Sequence, residues 1–338
     1  MPLLDVVGAL GCGAALAAAA GIVVRRRALA AIPPELRHPV LYLPLSFTNA
    51  ATLALGRRLP FPGSAIRAGV EVEQHTVPVT ATAPAVTVLT YQAATRPTPS
   101  GALLWIHGGG TIMGAARDCH VLCSRIAEEL GLLVVNVEYR LAPENSYPAA
   151  LDDCYRALRW LHDNATDLGI DPARIAVGGQ SAGGGLAATV VQRAHDTKVP
   201  VRFQLLLYPM LDDRTVLPAE APGRRAYTWT AASNHFAWTA YLGHPPRDQD
   251  ERPYIAAARR GDLTGLPPAW IGVGDIDLFH HEDVAYARRL RESGVECELL
   301  VEPGMYHGAD ELLDGRAASM TAFRSRALAA LHIALTTP

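Results

Sequence analysis

Residues 175–195 read IAVGGQSAGGGLAATVVQRAH, and this stretch decides the architecture. Ile175–Val177 is a short β-branched and apolar run, while residues 182–195 carry a helical pattern. Between them, Gly179-Gln180-Ser181-Ala182-Gly183 leaves room only for a sharp strand-to-helix turn with Ser181 at its tip. A serine hydroxyl is a poor nucleophile unless it is exposed, oriented and set beside a base. Such a turn exposes the hydroxyl at the cost of a strained backbone. Glycines two residues to either side remove the side chains that would clash with strand and helix. The new helix also points the positive end of its dipole at the serine.

Working outward, strand-like runs occur at 70–77, 86–91, 102–106, 132–137, 203–207, 270–273 and 296–301. From the third run onward they alternate mostly with helical segments near 118–130, 149–163, 182–195, 280–293 and 316–335. This alternation predicts a mostly parallel, eight-stranded sheet covered by helices on both faces. The first two runs have no helix between them, which predicts an antiparallel start. The connection from Leu207 to Trp270 is rich in Pro, Trp and Arg and too long for a plain loop, so it reads as an inserted cap. With the proline-broken N-terminal segment, it is placed to roof the C-terminal edge of the sheet, where α/β proteins bind ligands.

Two further signals fall on that edge. His107-Gly108-Gly109-Gly110 directly follows the strand 102–106. Consecutive glycines let backbone N–H groups face a substrate, so Gly109 and Gly110, with Ala182, are candidate oxyanion-hole donors. His307 lies in the turn EPGMYHG (302–308) just past the strand 296–301, within reach of Ser181. An acid to orient it is expected after the strand 270–273, where Asp275 and Asp277 both qualify.

The remaining residues read less eventfully. His280, His281, Glu282 and Asp283 resemble a metal cluster, but adjacent helical residues point apart, and a metal reading is set aside. His235 is expected in cap packing, and His120 and His162 on solvent-facing helix surfaces. The aromatics of 227–241 fit either the core or a pocket wall, and core is the safer reading. Five cysteines in a chain of 338 residues, with no matching Cys/His pair, read as reduced thiols without a metal. A net charge of −3 over 30 basic and 33 acidic residues argues against nucleic acid as a partner and against disorder.

Residues 6–24 carry no charge, and Arg25, Arg26 and Arg27 follow at once. The run is just long enough to span a membrane, with the arginines on the cytoplasmic side. Membrane association through residues 6–24 and a lid helix are the two readings that fit. A cleaved signal fits less well, because Asp5 rather than a positive charge precedes the run. The location expected is cytoplasmic, free or held at the inner face of a membrane.

The ordered motifs resemble the hormone-sensitive-lipase-like group of the α/β-hydrolases. They are HGGG at 107–110, YRLAPE at 139–144, PAALDD at 148–153, DPARIAVGGQSAGG at 171–184, YPMLDDR at 208–214, GLPPAWIGVGDIDLF at 265–279 and PGMYHG at 303–308. The likeness runs from about residue 28 to residue 331. It implies an α/β-hydrolase core at 69–208 and 269–338 and a helical cap from 28–68 and 209–268; the apolar segment 1–27 lies outside the likeness, which says nothing of its role. Counting back from Tyr286-Ala287, it places the acid on Asp277. It implies catalytic Ser181, His307 and Asp277, no metal or organic cofactor, and a small-molecule ester as substrate. An amidase or deacetylase would use the same residues, and a ligand-binding protein on this scaffold is the remaining alternative. Oligomeric state is not written in these motifs. Three positions depart from the group: Gln180 replaces the usual Asp, Thr111 replaces an aromatic, and Leu278 replaces a proline. Thr111 implies a less bulky wall beside the oxyanion hole.

Overall fold

Runs of Val, Ile and Leu set the framework. The computed structural model describes residues 29–30, 32–43, 46–58, 65–81, 83–217 and 227–336. It contains strands β1 Val70–Val77, β2 Val86–Ala93, β3 Ser100–Ile106, β4 Leu133–Glu138, β5 Ile170–Gln180, β6 Phe203–Leu207, β7 Ala269–Gly274 and β8 Cys297–Glu302. The α-helices are α1 Ala50–Gly56, α2 His120–Leu130, α3 Ala149–Asp163, α4 Ala182–Asp196, α5 Ala231–Leu242, α6 His280–Glu292, α7 Ala309–Leu313 and α8 Ala318–Thr336.

The strands form one sheet in the order β1-β2-β4-β3-β5-β6-β7-β8. β2 runs antiparallel to both β1 and β4, and every other pairing is parallel. β3 and β7 are buried along their whole length, as strands covered on both faces must be. Alternate residues feed two cores. Leu104, Ile106, Val135 and Val177 pack with α3, α4 and α6. Leu103, Trp105, Val134 and Leu205 pack with α2 and α8. Burying each such side chain contributes about 1.5–3 kcal/mol, so a one-residue slip in register would exchange the two cores and is strongly disfavoured.

The N-terminal segment packs on both faces of the sheet. Leu29, Ile32, Leu36 and Leu41 join the α2/α8 core, whereas Leu53 of α1 joins the other. The connection between β6 and β7 supplies α5, with Trp238 and Tyr241 buried. Among the described residues, no helix is long and apolar enough to cross a membrane. The run 6–24 lies outside the described residues.

Several side-chain expectations need correction. His120 is half-buried, hydrogen-bonded to the Tyr91 hydroxyl at 2.8 Å, and His162 is half-buried and donates to the Pro200 carbonyl at 2.9 Å. The helical pattern marks their faces as polar, but β2 and the 197–202 turn cover them. His235 is exposed rather than packed, because α5 turns its opposite face, with Ala237 and Trp238, inward. β5 begins at Ile170, where Ile170 pairs with Ser100 before a register shift, so the strand is longer than its apolar run.

Candidate active site

β5 ends at Gln180 and α4 begins at Ala182, leaving Ser181 alone at the turn with φ 55° and ψ −125°. A residue with a side chain is strained there by ~1–3 kcal/mol, and its surroundings must hold it. They do so through the backbone. The Ser181 N–H donates to the Leu207 carbonyl at 2.9 Å, and the Ser181 carbonyl accepts from Met210 at 2.9 Å and Gly185 at 3.0 Å. A Cβ at Gly183 would collide with the Ile106 and His107 carbonyl oxygens. The turn therefore lies directly against the end of β3.

That contact brings the serine to the other two predicted side chains. Ser181 Oγ lies 2.8 Å from His307 Nε2, and His307 Nδ1 lies 2.9 Å from Asp277 Oδ2. A carboxylate has no proton to give, so Nδ1 carries the proton and Nε2 is the acceptor facing Ser181. Asp277 is 5% exposed, and its Oδ1 accepts from the Phe279 N–H at 2.9 Å, which fixes the carboxylate plane. The Tyr208 and Phe279 rings stand edge-on to the imidazole at 4.9 and 5.0 Å. Asp275, the other candidate, is exposed and accepts from the Gly304 N–H at 2.7 Å, bracing the turn that leads to His307. Behind that turn, Asp310 of α7 pairs with buried Arg324 of α8 at 2.8 Å.

The loop after β3 completes the arrangement. His107 stacks on Tyr139 at 4.2 Å, and its Nδ1–H donates to the Gly108 carbonyl at 2.8 Å. Burial pushes the His107 pKa down to about 4, so the ring is neutral and serves as packing for the loop. Gly109 and Gly110 take φ of 108° and 63°, a backbone that glycine adopts without strain. Among the described residues, no protein acceptor takes the N–H of Gly109, Gly110 or Ala182. The Ala182 N–H is also one of the free donors that open any helix. Three backbone donors, in the loop after β3 and at the start of α4, are thus left without a protein acceptor among the described residues.

The aromatics of 227–241 take both of the roles left open for them. Trp229, buried in the core, lays its indole against Gly110, and its Nε1–H donates to Asn234 at 3.1 Å. The wall beside the glycines is therefore bulky despite Thr111, because the inserted connection supplies the ring. Trp238 and Tyr241 line a narrow pocket with Thr111, Ala182, Leu186 and Met210. An aromatic-rich insertion was visible in the sequence, but its facing was not. Gln180 donates to Glu311 of α7, tying the serine turn to the helix after His307. Glu282 is buried and accepts from the Leu211 N–H at 2.7 Å. Among the described residues, no group of three or more His, Cys, Asp or Glu is placed to hold a metal ion.

Comparison with known proteins gives the family and the fold. A family model described as the alpha/beta hydrolase fold matches residues 103–310. The chain is 41% identical over 215 residues to the carboxylesterase NlhH of Mycobacterium tuberculosis, a match covering 61% of this chain and 65% of that relative. The matched region thus spans just under two thirds of that relative's length. The esterase LipI of Mycobacterium tuberculosis is 36% identical over 239 residues, covering 69% of this chain and 72% of the relative. Among solved structures, a bacterial heroin esterase superposes with a TM-score of 0.82 at 37% identity, covering 91% of this chain and 99% of the other. The chain belongs to the α/β-hydrolase fold family, in its hormone-sensitive-lipase-like group.

Proposed function

We propose that this chain is a serine carboxylesterase that hydrolyses short- to medium-chain esters through an acyl-enzyme on Ser181. The observation that carries the reading is the hydrogen-bonded series from Ser181 Oγ through His307 to Asp277. The esterase names of its relatives support it. In the first half-reaction His307 Nε2 takes the Ser181 proton as Oγ bonds to the ester carbonyl carbon. Asp277 stabilises the imidazolium that forms. The N–H groups of Gly109, Gly110 and Ala182 bind the oxyanion. The C–O bond to the alcohol then breaks, and His307 returns the proton to the leaving oxygen. Water, deprotonated by His307, attacks the acyl-enzyme carbonyl; the bond to Ser181 Oγ breaks, His307 returns the proton to that oxygen, and the acid leaves. Every step uses groups of the chain itself.

Residues 28–68 and 209–268 form the cap in this reading, with Trp229, Trp238 and Tyr241 as substrate walls. The narrow pocket that Trp238 and Tyr241 line favours acyl chains of roughly two to eight carbons. A panel of nitrophenyl esters graded by acyl length tests this, run beside fluorophosphonate labelling. Wild type should label and turn over the shorter esters, and Ser181→Ala should fold, resist labelling and lose at least ~1000-fold in kcat. Labelling that persists in Ser181→Ala, or a preference for long-chain emulsions, contradicts the proposal.

A further inference from the structure

The loop that carries Gly109 and Gly110 cannot hold its shape unaided. Its next residue, Thr111, is β-branched yet sits at φ 61°, a region such residues avoid. Inside the loop, the Gly109 carbonyl accepts from Ile112 at 3.1 Å and Met113 at 3.0 Å. These bonds close the turn but leave the carbonyls of Thr111 and Ile112 facing outward. Both are met from elsewhere. The Thr111 carbonyl accepts from the Ala142 N–H at 2.9 Å. The Ile112 carbonyl accepts from Arg57 Nε at 2.7 Å.

Arg57 follows α1 in the N-terminal segment, more than fifty residues away in sequence. Its Nη2 donates to the Ala142 carbonyl at 2.8 Å, so one guanidinium holds two successive carbonyls of the loop, Ile112 directly and Thr111 through Ala142. Glu144 holds the guanidinium in two-pronged fashion, at 2.7 Å to Nη1 and 2.9 Å to Nη2. A planar fork with a fixed set of donors suits this task, and a lysine ammonium could not reach all three acceptors. The same segment is fastened to the insertion. The Phe47 N–H donates to Ser233 Oγ at 2.8 Å, and the Phe47 ring lies 6.3 Å from Trp229, the ring that covers Gly110.

We propose that Arg57 is a positioning residue for the oxyanion hole, clamping the strained turn at Thr111 so that the Gly109 and Gly110 N–H groups stay aimed at the developing oxyanion. The inference rests on the esterase reading above. Arg57 touches no reacting atom; it acts through Ile112 and Ala142. Without it the turn relaxes toward ordinary backbone angles and the two N–H groups drift. A misaimed donor weakens binding of the transition state more than binding of the ester itself.

The test compares wild type, Arg57→Ala, Arg57→Lys and Glu144→Gln on nitrophenyl acetate. Each is also titrated with an aryl trifluoromethyl ketone, whose adduct with Ser181 places an oxyanion in the hole. For Arg57→Ala the expected loss is roughly ten- to hundredfold in kcat with KM within about threefold. The inhibition constant of the ketone should rise by the same factor as kcat/KM falls. Added guanidinium ion should restore part of the kcat of Arg57→Ala, whereas Arg57→Lys should remain impaired. Glu144→Gln keeps the guanidinium but loosens its anchor, and should show a smaller loss with the same parallel rise in the ketone constant. It serves as the readout should Arg57→Ala fail to fold. Unchanged ketone affinity, a loss confined to KM, or activity within twofold of wild type overturns the inference while leaving the esterase reading intact. Wild type without ester turnover removes both.

Discussion

Replacing Asp277 by Asn keeps the shape of the side chain and removes only its charge and its proton-accepting edge. The Phe279 N–H can still donate to the amide oxygen, so the loop after β7 should hold its course. The amide nitrogen would then face His307 Nδ1, which forces the imidazole proton onto Nε2. Nε2 would point a proton at Ser181 and could no longer accept one. Where the base does form, the imidazolium lacks a counter-charge 2.9 Å away. At an effective dielectric constant of about 20, that pair is worth ~6 kcal/mol, or about four powers of ten in rate. Asp275→Asn is the control. Its oxygen can keep the bond from Gly304, so its kcat should stay within about threefold of wild type. Initial rates on nitrophenyl acetate, with thermal melting to confirm folding, measure both. Equal losses, or an Asp277→Asn enzyme within tenfold of wild type, would refute the tautomer argument.

Asp283 is 0% exposed and, among the described residues, neither of its carboxylate oxygens has a hydrogen-bond partner, so burial raises its pKa well above the usual carboxylate range. Below the unfolded value of about 4 both states hold the proton; above it only the folded state does. This acid therefore costs about 1.4 kcal/mol per pH unit between those two values, and the melting-temperature gain of Asp283→Asn should grow from pH 4 upward. A gain that is flat with pH removes the argument. Trp238→Ala should move the acyl optimum toward longer chains by opening the pocket wall, as read from kcat/KM across the ester series, and an unmoved optimum rejects Trp238 as a wall. Deleting residues 1–27 should shift the protein from the membrane to the soluble fraction while keeping most ester hydrolysis, since every proposed catalytic position lies beyond residue 100. Intact protein that is already soluble without detergent ends the anchor reading, and lost activity makes the segment part of the lid.

The sheet was legible because its signals are local. β3 and β5 announce themselves by short apolar runs that stop at glycines, and those glycines answer to backbone crowding that any such turn must meet. Ser181 and His307 could be placed for the same reason, since both stand just past strands on one edge. Choosing between Asp275 and Asp277 needed more than the strand end, because both follow β7 and both accept hydrogen bonds. The register to Tyr286-Ala287 selected Asp277, and in the structure it is Asp277 that reaches His307 while Asp275 meets Gly304. Trp229 and Arg57 were beyond local reading altogether. Their roles arise from contacts between segments far apart in the chain, with no periodicity that marks one face of a loop as inward. His235 shows the same limit in reverse: a polar ring among aromatics was assigned to packing, yet α5 presents it outward.

The abutment of Gly183 on the Ile106 and His107 carbonyls has a bearing on how such a protein can diversify. Where main chain touches main chain there is no side chain to exchange, so the frame holding Ser181 beside the glycine loop admits almost no variation. Trp229, Trp238 and Tyr241 come from a separate stretch, the connection between β6 and β7, outside the sheet. A duplicated copy can therefore take up a new diet by altering that stretch while inheriting the chemistry whole. A mutational library aimed at new substrates belongs at 229, 238 and 241, with 107–110 and 179–183 left untouched.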